Sequence, residues 1–192
     1  MNSNSRYLLL SGLLTIVGII GCGTIFSQSY LTEAYLAFDG RFDEWEFVHF
    51  NEEGENTSYG RLSLKWPLQG NWNEWRYELN EFNGEIRRKW PGLNDQWELR
   101  GYDDLITFSP KWRNDLNEWT IRYNNTVMTL RTKSRDNPTF WRCDMEGGYF
   151  EIFTERINDP SIWIIEDYLP EHVDIEAKIV LTFIALYHSF PK

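Results

Sequence analysis

Cysteine, histidine and positive charge are scarce in this 192-residue chain, which holds two Cys, three His, and 19 Lys and Arg against 29 Asp and Glu. Two cysteines, Cys22 and Cys143, cannot form a disulfide framework, so packing has to hold the fold together. The histidines His49, His172 and His188 lie far apart; on one helix the last two would be separated by about 24 Å at 1.5 Å per residue, so they cannot share a metal. A formal charge of −10 excludes a nucleic-acid partner, because that binding rests on Lys and Arg displacing phosphate counterions, and it disfavours an anionic membrane surface for the same reason. The chain also lacks a G-x-S-x-G elbow, a phosphate-binding P-loop, a C-x-x-C pair and an H-E-x-x-H helix, so no catalytic or metal-binding residue is assigned and no cofactor is expected. The acidic pairs Glu52-Glu53, Asp103-Asp104 and Glu166-Asp167 fall in turns or at strand ends and read as solvated charge rather than glycosidase carboxylates. The one basic cluster, Arg87-Arg88-Lys89, reads as a solvated strand face.

What the chain does have begins with an apolar N-terminus. One charge, Arg6, precedes a run through Leu8, Leu14, Ile16 and Ile20 without an ionisable side chain. It closes on Ile19-Ile20-Gly21-Cys22, which resembles a bacterial lipobox in which the small Gly21 suits the peptidase and the Cys22 thiol takes the lipid. A membrane helix over about 20 residues and a cleaved signal are the alternatives. Residues 1–26 are therefore set apart as a signal or anchor, 27–35 as a linker and 36–192 as a single domain, expected as a monomer on the extracytoplasmic side of a bacterial envelope. In an exported domain an unpaired Cys143 has to be buried.

The domain is written as strand, turn, strand. Alternating segments span 45–50, 59–66, 75–79, 85–90, 97–101, 105–108, 119–123, 127–133, 141–145, 149–154 and 162–166, with turns expected at Asn83-Gly84, Asp103-Asp104, Asn124-Asn125 and Gly147-Gly148. A repeat underlies them. Trp75, Trp97, Trp119, Trp141 and Trp163 stand 22 residues apart, and two places beyond each comes Tyr77, Leu99, Ile121, Cys143 or Ile165. Nine and eleven places on, the return strand carries the same face, as in Ile106 and Phe108 or Met128 and Leu130, so each period is one β-hairpin. The shared apolar face makes the tryptophan ladder core rather than a sugar or lipid platform. Trp66, Trp72, Trp90 and Trp112 fall at strand ends and turns, where an aromatic binding surface would be built.

Hairpins with one apolar face must curl into a barrel or pack on another layer. The segment 172–188 supplies a filling, for Ile179-Val180-Leu181-Thr182-Phe183-Ile184-Ala185-Leu186-Tyr187 is apolar on every side of a helix and has to be surrounded by protein. Leu181, Phe183 and Ile184 point in three directions and join the five ladder tryptophans as expected core; His172 and His188 bracket the helix. A final strand or a membrane segment is the alternative reading of this stretch. A hairpin array followed by such a helix resembles the tubby C-terminal-like superfamily, in its LURP-one-like and phospholipid scramblase-like branches, over about Arg41 to Phe190. The likeness rests on 174–187, the preceding strand 162–167 and hairpins such as Trp119-Thr120-Ile121-Arg122. The resemblance implies a closed barrel of about twelve antiparallel strands around one buried C-terminal helix. It does not extend to the basic headgroup pocket of tubby proteins or to a scramblase-type Ca²⁺ loop.

Two functional classes follow. One is a non-enzymatic binding or structural domain, tethered to a membrane by its N-terminus, whose protein or envelope partner is unknown. The other is an exported lipocalin-like carrier of a small apolar ligand, to whose G-x-W opening Gly40-Arg41-Phe42-Asp43-Glu44-Trp45 has a loose similarity. A helix on the barrel axis would leave no ligand cavity, which discriminates the two.

Overall fold

The computed structural model describes residues 29–51, 57–90, 96–101, 105–134 and 138–189. Twelve antiparallel strands follow one another around a closed barrel: β1 (Ser29–Phe38), β2 (Arg41–Asn51), β3 (Thr57–Leu64), β4 (Glu74–Leu79), β5 (Phe82–Arg88), β6 (Trp97–Arg100), β7 (Leu105–Trp112), β8 (Asp115–Tyr123), β9 (Thr126–Thr132), β10 (Phe140–Met145), β11 (Gly148–Arg156) and β12 (Asp159–Asp167). Pairing of β1 with β12, Ala34 opposite Trp163, closes the wall and removes the edges an open sheet would expose. A single helix, α1 (Ile175–Ser189), follows β12.

The 22-residue period is visible in the register. Trp75 faces Ile86, Trp97 faces Phe108, Trp119 faces Leu130 and Trp141 faces Ile152, each pair eleven residues apart as the repeat requires. The ladder has a sixth member, Trp45 on β2, so every even-numbered strand carries one fully buried tryptophan. Their orientation has a common cause. The indole N–H donates to the carbonyl three residues upstream in five of them: Trp45 to Phe42, Trp75 to Trp72, Trp119 to Leu116, Trp141 to Pro138 and Trp163 to Pro160, at 2.8 to 3.2 Å. At Trp97 the corresponding residue is Asn94, outside the described residues. Each of these five rings is thus pinned by the chain entering its own strand, and its burial costs no unmade hydrogen bond; the buried Trp97 indole nitrogen finds no partner among the described residues.

The helix fills what the wall encloses. Every residue from Ile175 to Tyr187 is buried, so α1 has no solvent face. Its C-terminal half packs in the tryptophan layer, with the Phe183 ring 5.8, 5.3 and 5.9 Å from Trp75, Trp97 and Phe108 and the His188 ring 4.9 Å from Trp119. Leu181 and Ile184 are as fully enclosed as Phe183. Cys143 is also buried, and burial pushes its thiol up to about 11, which leaves it protonated and unreactive at neutral pH.

Several sequence expectations need correction. The linker assigned to 27–35 is, from Ser29 onward, strand β1, whose alternation is interrupted by register shifts between Leu31 and Glu33 and between Leu36 and Phe38. Asn83-Gly84 is no turn; it lies inside β5, and the hairpin turns at Asn80, where φ is +54°. Gly84 is needed within the strand because a Cβ there would stand 2.3 Å from the Arg100 carbonyl and 2.8 Å from the Tyr77 hydroxyl. Asn124-Asn125 does turn, with both φ values positive, as a type I′ hairpin requires.

Candidate functional site at the two rims of the barrel

Odd strands turn into even strands at one rim, beside the six tryptophans. Even strands turn into odd strands at the other, where β1 begins and α1 enters. At this second rim the helix carries its polar residues. Lys178 sits 1% exposed with Nζ 2.8 Å from Asp167 Oδ2 at the end of β12 and over the Tyr30 ring at 5.5 Å. Asp167 also accepts the Leu31 amide through Oδ2 and the Leu169 amide through Oδ1, each at 3.3 Å. One carboxylate thereby ties β1, β12, the following turn and the helix together. Burial pushes the Asp167 carboxyl up, against the opposing pull of Lys178 and the two amides. This corrects the reading of Glu166-Asp167 as solvated turn charge, since Asp167 points inward from a strand while its neighbour accepts from Tyr149 on the outside at 3.4 Å.

On the other side of the same rim the Tyr77 hydroxyl donates to Glu176, and Gly101 packs so close that a Cβ there would overlap the Glu176 carboxylate. His49 on β2 is buried, its Nδ1 2.8 Å from the Ser58 hydroxyl. Burial, and then the Lys178 charge, lower its affinity for a proton. These side chains join elements distant in sequence, and no motif spacing marks them. Two charged residues, Glu176 and Lys178, within an otherwise apolar helix were the available signal.

The outer wall carries further polar structure. Arg87 and Arg100 clamp the buried Glu98 at 2.6 and 3.0 Å; burial alone would raise this carboxyl, and the two guanidiniums hold it below its ordinary value. The Arg87-Arg88-Lys89 cluster is therefore partly committed, with Arg88 also 5.7 Å from the Trp97 ring. An open groove of about 310 Å³ runs along β9 and β10, lined by Arg131, Thr132, Lys133, Phe140, Arg142 and Glu151. It lies outside the barrel.

The structure brings Trp75, Trp97, Leu181, Phe183 and Ile184 into one core with Trp119, Trp141 and Trp163. His172 is exposed in the turn before α1, while His49 lies on β2 and His188 on α1. Among the described residues, no group of three or more His, Cys, Asp or Glu is arranged to hold a metal. Cys22 and the acidic pairs Glu52-Glu53 and Asp103-Asp104 lie outside the described residues. Among the described residues no helix is long and apolar enough to cross a membrane. Compared with known proteins, the chain matches no family model, no curated protein and no solved structure.

Proposed function

We propose that this protein is a membrane-tethered, non-enzymatic binding or structural domain of tubby-like architecture, which works through its outer surface and rims. The observation that carries this reading is the occupied axis: a helix buried on every side takes the place where a carrier barrel holds its ligand. A lipocalin-like carrier would have to expel α1, and with it the core packing of Phe183 against three aromatic rings. The tether rests on the apolar run ending at Ile19-Ile20-Gly21-Cys22. Seven residue steps lead from Cys22 to Ser29, so an anchor there holds the rim at which β1 begins within about 25 Å of the bilayer at about 3.6 Å per residue.

The test has two parts. Intact mass of the chain extracted from bacterial membranes should show diacylglycerol on an N-terminal Cys22, and Cys22→Ala should abolish it; an unlipidated chain retaining Met1 refutes the lipobox. Titration with a hydrophobic fluorophore should give no saturable 1:1 uptake. Stoichiometric binding that is lost when bulky residues are placed on α1 would restore the carrier.

A further inference from the structure

We propose that the tryptophan rim is a docking surface for an anionic lipid bilayer. The net charge of −10 conceals a strong polarity along the barrel axis. Among the described residues, the connections of the second rim, 80–81, 101, 124–125, 146–147 and 168–174, contain four Asp and Glu and no Lys or Arg. Those of the tryptophan rim, 39–40, 65–73, 89–90, 96, 113–114, 133–134, 138–139 and 157–158, contain four Lys and Arg and one Asp. The acidity that argues against an anionic surface thus belongs to one end, and the other end is mildly basic. An anionic plane attracts the second and repels the first, which orients the molecule before contact.

The most exposed large apolar side chains stand at the basic rim, although Tyr59, Leu105, Val127 and Tyr168 are exposed toward the other. Leu68 and Ile157, at the tips of two connections, are 101% and 88% exposed, and Trp66, Trp90 and Trp112 are 44%, 54% and 59% exposed. The tryptophans are held in place. Glu74 accepts the Trp66 indole N–H and Glu118 that of Trp112, both at 3.2 Å, while Lys65 and Lys111 lie 5.8 and 5.7 Å from the same rings. Aliphatic tips backed by a belt of indoles match the layers of a bilayer interface, where alkyl groups enter the acyl boundary and amphipathic rings rest among the headgroups; Lys65 and Lys111, paired with Glu85 at 2.6 Å and Glu118 at 2.7 Å, brace the rings, and the basic excess falls to Lys89, Arg113 and Lys133. Six hairpin ends closing one barrel form a ring around a single axis, the shape that seats on a plane rather than in a groove. The docking uses insertion and a diffuse field, with no headgroup pocket.

The inference does not rest on the N-terminal anchor. If the anchor holds, it holds the acidic rim, and the tryptophan rim faces away from the anchoring bilayer toward an apposed one. Full-length protein is reconstituted into phosphatidylcholine vesicles and mixed with labelled acceptor vesicles of phosphatidylcholine alone or with 30% phosphatidylglycerol. Docking of the phosphatidylglycerol acceptors should exceed that of the neutral ones at least tenfold. The Leu68→Asp/Ile157→Asp variant, altered at two already exposed tips, should lose at least tenfold at unchanged Tm, and Trp90→Ala/Trp112→Ala should follow it. Equal docking on both acceptors, or a tip variant that docks like the parent, overturns the proposal. A chain that fails to enter the donor vesicles removes the anchor reading alone, and should still bind the anionic acceptors directly.

Discussion

Replacing Lys178 by methionine removes one half of the buried pair and leaves the other in place. Both side chains are 1% exposed, so the Asp167 carboxylate would remain in a site without its countercharge, and breaking a buried pair from one side costs about 3 to 5 kcal/mol. Asp167 keeps two amide donors, from Leu31 and Leu169, and can take up a proton, which places Lys178→Met toward the lower figure. Asp167→Asn should cost at least as much, because it leaves the Lys178 ammonium buried without a countercharge and turns an NH2 donor toward at least one of the two N–H groups. The pH dependence has a definite sign. In Lys178→Met the folded-state pKa of Asp167, already raised by burial, rises further; such a group contributes stability below its unfolded value near 3.9 and loses it as pH climbs through the folded value. The deficit relative to the parent should therefore be largest at pH 7 and shrink toward pH 5. Removal of the Lys178 charge also makes His49 easier to protonate, which acts in the same direction. Urea unfolding followed by tryptophan fluorescence at the two pH values measures this. A loss under about 1 kcal/mol at pH 7, or a deficit that grows in acid, would show that the pair does not hold the helix.

Other perturbations test other joints. Leu181→Asp, Phe183→Asp and Ile184→Asp should each destabilise the domain by several kcal/mol, since each places an unpaired charge in the barrel; one tolerated substitution, read by thermal melting, would give the helix a free face. Gly148→Ala should be worse than an ordinary strand substitution, because its Cβ would stand 1.8 Å from the Tyr168 carbonyl and the backbone must shift. The His49 proton affinity is lowered by burial, so its contribution is full above its unfolded value near 6.5 and declines as pH falls, by at most about 1.4 kcal/mol per pH unit. His49→Gln should flatten that part of the stability profile, and an unchanged profile would assign the acid sensitivity elsewhere.

Most of the wall was legible because two independent periods coincide in it, alternation at two and tryptophan at 22. Strand β1 escaped because a bulge at Leu31 breaks the alternation on which strand recognition depends. Trp45 escaped as a ladder member for a related reason: it precedes Trp75 by 30 residues, with the loop at 52–56 and the turn at Pro67–Gln69 lengthening that repeat. The exposed tryptophans at strand ends could be anticipated one by one, but their gathering at one rim depends on the alternation of strand direction around the closed wall. Least legible was the Asp167 and Lys178 pair, since a carboxylate at a strand end is ordinarily solvated and only the helix's position inside the barrel brings the ammonium to it.

The element that fills the barrel follows all twelve strands of the wall in sequence, and this bears on the order of folding. Leaving the ribosome in N-to-C order, the wall emerges before α1 can occupy its interior, and β1 must wait for β12, its partner at the seam. Neither event is local, and closure over so many residues is the condition that makes folding slow. Until α1 arrives, six tryptophans face an empty centre. The wall therefore acquires its stable form only once α1 has been made, and a nascent chain that ends before it has a barrel without a core.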